Sequence, residues 1–301
     1  MYQEKRSNHN GLILMAAVCA DSFAESGETD MNIPIKKVEV NGFSMDYFSF
    51  GHGEKTLVIL PGLSVESVMK FAPSVANSYA PLTDDFTVYV LDRRKELPAT
   101  YSLHEMAHDT TAALRALGLD QVCLFGASQG GMIAMVVAIE HPELVARLAL
   151  GSTSACMDGE AEKVIENWIS LAKQGNAEEL YLAFGEAIYP SAVFEQARDL
   201  LVESAKAVTD ADLVRFAILA ETIEGFDVVD LLHRIECPVL VLGSKDDRVL
   251  GGEAPEQVAE KLKDKPGCEL VMYEGYGHAA YDLAPDYRER LKTFFLKDTE
   301  R

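Results

Sequence analysis

Short, largely apolar runs recur along this chain, and they limit its fold more than any other feature. "TLVIL" (56–60), "FTVYVLD" (86–92), "QVCLFG" (121–126), "RLALG" (147–151), "CPVLVLG" (237–243) and "ELVMY" (269–273) are each five to seven residues long. They lack the alternation of a half-exposed strand, so each predicts a strand covered on both faces, as in a parallel sheet. Helical patterning fills the intervals near 66–79, 102–117, 129–140, 253–264 and 283–296. Ahead of them, "KKVEV" (36–40) and "FSMDYFSF" (43–50) bracket Asn41-Gly42, a hairpin signal. The pattern predicts an α/β fold: a doubly wound, mostly parallel sheet with an antiparallel start.

One interval departs from the rhythm. Residues 154–226 carry amphipathic helix and no strand, which predicts a helical cap inserted into a core formed by 36–153 and 227–298. The cap contains Trp168, Tyr181, Phe184, Tyr189, Phe194 and Phe216, expected mainly to hold its helices together, with one or more facing substrate. Residues 1–35 read as an extension without regular structure. Within it "GLILMAAVCA" (11–20) is too short to span a bilayer but long enough for a signal-peptide core. The expected location is cytoplasmic, with export as the alternative should residues 1–20 act as a signal.

Charge narrows the partners. The 27 Lys+Arg against 48 Asp+Glu give a net charge of −21, which repels phosphate backbones and anionic lipid. Neither nucleic acid nor membrane is an expected partner; oligomeric state is not legible. Five cysteines with no CxxC pair indicate neither a zinc knuckle nor a disulfide framework.

Two motifs compete for the chemistry. "HEMAH" (104–108) has the His-Glu-x-x-His spacing of a zinc protease, and Ser102 and Gly118 place it on a helix. Its apolar stripe (Leu103, Met106, Ala107, Ala113, Leu114, Leu117) turns His104 and His108 away from the core, and Arg115 shares their face. No third ligand follows at the usual positions, so HEMAH reads as a solvated pair and no metal or other cofactor is expected.

The second motif is Gly126-Ala-Ser128-Gln-Gly130, between an apolar strand and a helix. Gly-x-Ser-x-Gly arises by chance in about one chain in ten of this length. The strand-turn-helix setting gives it meaning, because a sharp turn lifts the serine hydroxyl to the helix N-terminus. A serine nucleophile needs a base, and the base needs an orienting carboxylate. Asp246 and Asp247 follow one late strand, and His278 lies in a glycine-flanked loop after the next, giving the order Ser128, Asp, His278.

With these residues in place, the stretch 37–297 resembles the α/β-hydrolase superfamily in its lid-bearing esterase and peptidase branch. "YSLHEMAHDTTAALRALGLDQVCLFGASQGG", "HPELVARLALGST", "FDVVDLLHRIECPVLVLGSKDD" and "GYGHAAYDLAPDYRERLKTFF" carry the likeness. It implies Ser128 as nucleophile, Asp246 as acid (three residues after Gly243) with Asp247 as fallback, and His278 as base. The backbone N–H groups of Leu63 and Gln129 would form the oxyanion hole. The chain departs from the family in having Pro61-Gly62-Leu63-Ser64 where His-Gly is usual, and "DRRKELP" where a glycine-rich loop is common. The expected function is hydrolysis of an ester-like, small-molecule acyl substrate through an acyl-enzyme. Peptidase, thioesterase, C–C bond hydrolase and acyltransferase chemistry are alternatives on the same triad. A non-catalytic ligand-binding protein and a zinc protease are the rivals from other classes.

Overall fold

A computed structural model describes residues 32–40 and 42–297. The expectations for residues 1–20, including the signal core, lie outside them, as does Asn41 of the hairpin. The chain runs β1 (Lys36–Val40), β2 (Phe43–Gly51), β3 (Lys55–Leu60), α1 (Ala72–Ser78), β4 (Phe86–Arg94) and α2 (Leu103–Ala116). It continues with β5 (Val122–Ala127), α3 (Gln129–Glu140) and β6 (Val145–Gly151). Four helices follow before the sheet resumes: α4 (Gly159–Lys173), α5 (Ala177–Ile188), α6 (Ser191–Ala205) and α7 (Asp210–Glu221). The chain closes with β7 (Val239–Ser244), α8 (Ala254–Leu262), β8 (Cys268–Tyr273) and α9 (Tyr287–Leu296).

The eight strands form one sheet in the order β1-β2-β4-β3-β5-β6-β7-β8. β1 and β2 pair antiparallel, as do β2 and β4, and the rest are parallel. Side chains of the central strands alternate between two cores. Val58, Leu60 and Leu124 enter one beneath α2 and α3; Leu57, Ile59 and Phe125 enter the other beneath α1 and α9. Burial on both faces is why these strands read as continuous apolar runs.

The chain leaves β3 for β4 on one side of it, then crosses to β5 on the other. Such a reversal opens a crevice at the carboxyl ends of the strands. Here it lies between Pro61-Gly62 after β3 and Ser128 after β5. Among the described residues no helix is long and apolar enough to cross a membrane.

Candidate active site

Ser128 links β5 to α3 with φ 52° and ψ −123°, a strained conformation for a residue with a side chain. The flanking glycines exist because the turn is crowded. A Cβ on Gly126 would run into the Gly130 carbonyl, and one on Gly130 into the Leu60 carbonyl. The turn is held by Ser128 N–H donating to Gly151 O (2.8 Å) and by Ser128 O accepting from Gly131 N–H and Thr153 Oγ1 (both 2.8 Å). Its hydroxyl is thereby set over the first turn of α3.

His278 sits in a short turn, Gly277–Ala279, and is 2% exposed. Its ring Nδ1 lies 2.7 Å from Asp247 Oδ2. The other oxygen of Asp247 accepts from the N–H groups of Val249 (2.8 Å) and Leu250 (3.1 Å), which fixes the carboxylate.

Asp246 does not meet His278, which corrects the sequence expectation. Its carboxylate accepts from Ser244 Oγ (2.7 Å), Gly275 N–H (2.9 Å) and Gly277 N–H (3.0 Å). Partial burial raises its pKa, but these three donors outweigh that and hold it below the usual aspartate value. Asp246 therefore shapes the loop that carries His278, and its neighbour faces the ring.

Ser128 and His278 border the same small cavity, with Leu63, Trp168, Phe184 and Tyr281 among its other walls. No hydrogen bond joins Ser128 Oγ to His278 among the described residues; such contacts often tighten only when substrate binds. On the opposite side of the serine, the Pro61–Ser64 loop passes so close that a Cβ on Gly62 would lie 3.2 Å from Ser128 Cβ. Gln129 supplies the first N–H of α3, which has no intrahelical acceptor.

Sequence reasoning missed what fastens this region. Arg93, within "DRRKELP", belongs to β4 and is 5% exposed. Its Nη2 donates to Pro61 O (2.6 Å) and to Gln129 Oε1 (3.1 Å), tying the two sides of the serine together. The amide of Gln129 donates in turn to Leu219 O (2.6 Å) and Thr222 Oγ1 (3.1 Å), at the end of α7. Arg215 of α7 pairs with Asp92 at 2.7 Å. Burial lowers the Arg93 pKa to about 10, against the pull of Asp92, so the guanidinium stays charged at neutral pH. An "RR" pair after a strand looks like a solvated loop, and nothing in its local pattern marks one arginine as buried.

The HEMAH histidines are spent elsewhere. His104 Nδ1 and His108 Nε2 lie 2.9 and 2.8 Å from the two oxygens of Glu140. Partial burial raises the Glu140 pKa, but these two bonds outweigh it and lower the value below that of an ordinary glutamate. His108, Glu140 and His141 are the group whose donors could surround a metal ion among the described residues. However, Arg115 Nη2 lies 3.3 Å from His141 Nδ1, and His108 already holds the carboxylate. Glu140 ends the helix that Ser128 begins, so at 1.5 Å per residue it lies about 18 Å from the serine.

Fold and site together define an enzyme class, the α/β hydrolases. The chain belongs to the "Alpha/beta hydrolase family", whose pattern matches residues 57–290. Among its relatives is a "Putative carbamate hydrolase RutD" from Rhizobium rhizogenes, 26% identical over 244 residues (77% of this chain, 88% of the relative). Another is the human "Serine hydrolase BPHL", 26% identical over 226 residues (71% of this chain, 70% of the relative). Of solved structures, an alpha/beta hydrolase enzyme from a Medee basin deep-sea metagenome library superposes with TM-score 0.78. It is 20% identical and covers 88% of this chain and 99% of its own. The enol-lactonase from Burkholderia xenovorans superposes at 0.74, with 19% identity, covering 87% and 100%. The protein is a hydrolase.

Proposed function

We propose that the protein is a serine hydrolase that cleaves an ester-like acyl compound through an acyl-enzyme on Ser128, His278 and Asp247. The observation that carries the proposal is the buried His278–Asp247 pair bordering the same cavity as a serine on a strained strand-to-helix turn. With Nδ1–H donated to Asp247, the lone pair of His278 is on Nε2, where it can accept the Ser128 proton. Ser128 Oγ then bonds to the substrate carbonyl carbon, and the oxyanion is received by the N–H groups of Leu63 and Gln129. Collapse breaks the bond to the leaving group, which takes the proton from His278. Water repeats the sequence, releasing a carboxylic acid and restoring the serine.

The names of the relatives support this reading: carbamates and lactones, like simple esters, present a carbonyl with a departing heteroatom. The helices α4–α7 act in it as a cap, since of the six aromatics named for the cap Tyr181, Phe184 and Tyr189 line a second, larger cavity beside the site, and Trp168 and Phe184 line the small one. Phe194 and Phe216 line neither and are buried, 5% and 0% exposed, in keeping with a structural role. The test is hydrolysis of methyl esters followed by proton release. Ser128→Ala should abolish turnover while leaving the unfolding temperature close to that of the parent, and substantial residual activity in a folded variant would refute the nucleophile.

A further inference from the structure

Two cavities meet at the site, and their unequal sizes bear on what the enzyme accepts. The one bordered by Ser128 and His278 holds about 10 Å³, roughly the room one water needs. The other holds about 170 Å³. Leu63, Phe184, Ile188 and Tyr281 line both, so they form a waist between the chambers. The larger chamber also reaches Gly62 and Ala127, the immediate neighbours of the serine, while Ser128 and His278 themselves line only the small one.

Acid-base chemistry assigns the chambers. The leaving heteroatom must come within hydrogen-bond reach of His278 to be protonated, so it occupies the small chamber. The part of the substrate that stays on Ser128 has the large one. A cavity of about 150 Å³ lined by apolar side chains accepts benzene, and the walls here are largely apolar, with Val75, Val90 and Phe125 among them beside a few serines and charged groups.

The charged groups on those walls cancel. Glu66 meets Lys70 (2.7 Å) and the Tyr181 hydroxyl (2.8 Å), and Asp282 lies 3.8 Å from Arg288. Neither pair leaves a net charge for an ionic acyl group to neutralise, and burying an unmatched charge there is costly.

We infer that the enzyme selects a neutral acyl group about the size of a phenyl ring or a six-carbon chain, joined to a small leaving group. This inference rests on the serine-hydrolase reading of Ser128. Water and the methyl ester of such an acid would give the free acid and methanol, the acyl carbon passing from the methoxy oxygen to Ser128 Oγ and then to water.

The experiment compares kcat/KM, by proton release, for methyl acetate, hexanoate, octanoate, decanoate and phenylacetate, monomethyl succinate and glycine methyl ester. Hexanoate and phenylacetate should exceed acetate by at least about 100-fold, since hexanoate adds four methylenes and even one well-packed methylene is worth about 10- to 200-fold. The anionic and cationic esters should not exceed acetate. Val75→Phe, which adds bulk to the chamber wall, should lower the phenylacetate-to-acetate ratio at least about 10-fold, and Val75→Ala should move the optimum to longer chains. A flat profile, a preference for a charged ester, or ratios untouched by both Val75 variants would overturn the inference.

Calorimetry of phenylacetamide with the Ser128→Ala protein reads the chamber without chemistry; binding that Val75→Phe weakens is expected, and no binding counts against the chamber. Binding with no ester cleaved would refute the serine-hydrolase reading and leave the chamber standing. Ester cleavage at Ser128 with a flat profile would do the reverse.

Discussion

Replacing each of the adjacent aspartates by asparagine separates their roles sharply, because the two carboxylates are bonded differently. Asp247 Oδ1 accepts two backbone N–H groups, from Val249 and Leu250, while Oδ2 faces His278 Nδ1 at 2.7 Å. In Asp247→Asn the amide oxygen keeps both backbone bonds by taking the Oδ1 position. That turns the NH₂ group toward His278, so Nδ1 must become an acceptor and the ring proton moves to Nε2. The imidazole then has no lone pair for the Ser128 proton. Loss of the right tautomer costs about 10⁴-fold in kcat, or about 5.5 kcal/mol at 1.36 kcal/mol per tenfold. Folding should be little changed, because the shape and the two backbone bonds survive. Asp246→Asn differs. All three of its partners are donors, so the new NH₂ must face one of them, at least cost the Gly277 N–H beside His278. One part-buried bond becomes a donor–donor contact, costing about 1 kcal/mol of stability because Asp246 is exposed to water, with a smaller loss of turnover, about 10-fold if the His278 loop shifts within the limits of general-base geometry. The assay is kcat on a methyl ester for both variants, with thermal unfolding alongside. A folded Asp246→Asn protein that loses more turnover than Asp247→Asn would refute the tautomer argument and restore the first aspartate as the acid.

Other perturbations test the surroundings. Arg93→Met leaves Pro61 O and the Gln129 amide oxygen without their buried donor; stability should fall by about 2–4 kcal/mol and kcat should drop as the Pro61–Ser64 loop loosens, whereas unchanged kcat would separate Arg93 from the site. His104→Ala and His108→Ala should leave turnover unchanged, chelators included, with stability altered by about 1 kcal/mol or less for these exposed pairs; zinc that co-purifies stoichiometrically and is lost with the pair would contradict this. Burial raises the Asp282 pKa to about 6 against the pull of Arg288 and His278. The native state therefore binds this proton more tightly than the unfolded chain, so its contribution is full below about pH 4 and is lost as pH rises through 6. With 20% of the side chain exposed, the loss is set at about 1–2 kcal/mol, below the nearly 3 that the shift alone gives. Asp282→Asn should flatten that part of the stability profile, and a parent protein whose stability rises from pH 4 to 7 relative to the variant would reverse the sign.

Much of the architecture was legible because it depends on burial pattern. The apolar runs ending at Leu60, Gly126, Gly151 and Gly243 are strands covered on both faces, and the helix of HEMAH starts at its Ser102 cap, whose Oγ accepts from Glu105 N–H. The serine turn was legible because its glycines are required by close backbone approach, which leaves a trace in residue type. The acid was not. Asp246 and Asp247 are chemically identical neighbours in one turn, and their choice depends on which carboxylate the Val249 and Leu250 amides capture. Counting from Gly243 cannot register that. Arg93 was equally hidden, since its partners Pro61 and Gln129 are 32 and 36 residues away, and Gln129 looked like a backbone donor although its side chain also reaches α7.

The central claim is that Ser128 is the activated nucleophile, and intact-protein and peptide mass spectrometry after treatment with a fluorophosphonate test it directly. Its fluoride leaving group suits the small chamber beside His278. One phosphonyl adduct per chain, located on Ser128, absent from Ser128→Ala and formed far more slowly in Asp247→Asn, is the predicted result. An unlabelled parent protein, or an adduct on another residue that persists in Ser128→Ala, would contradict the account.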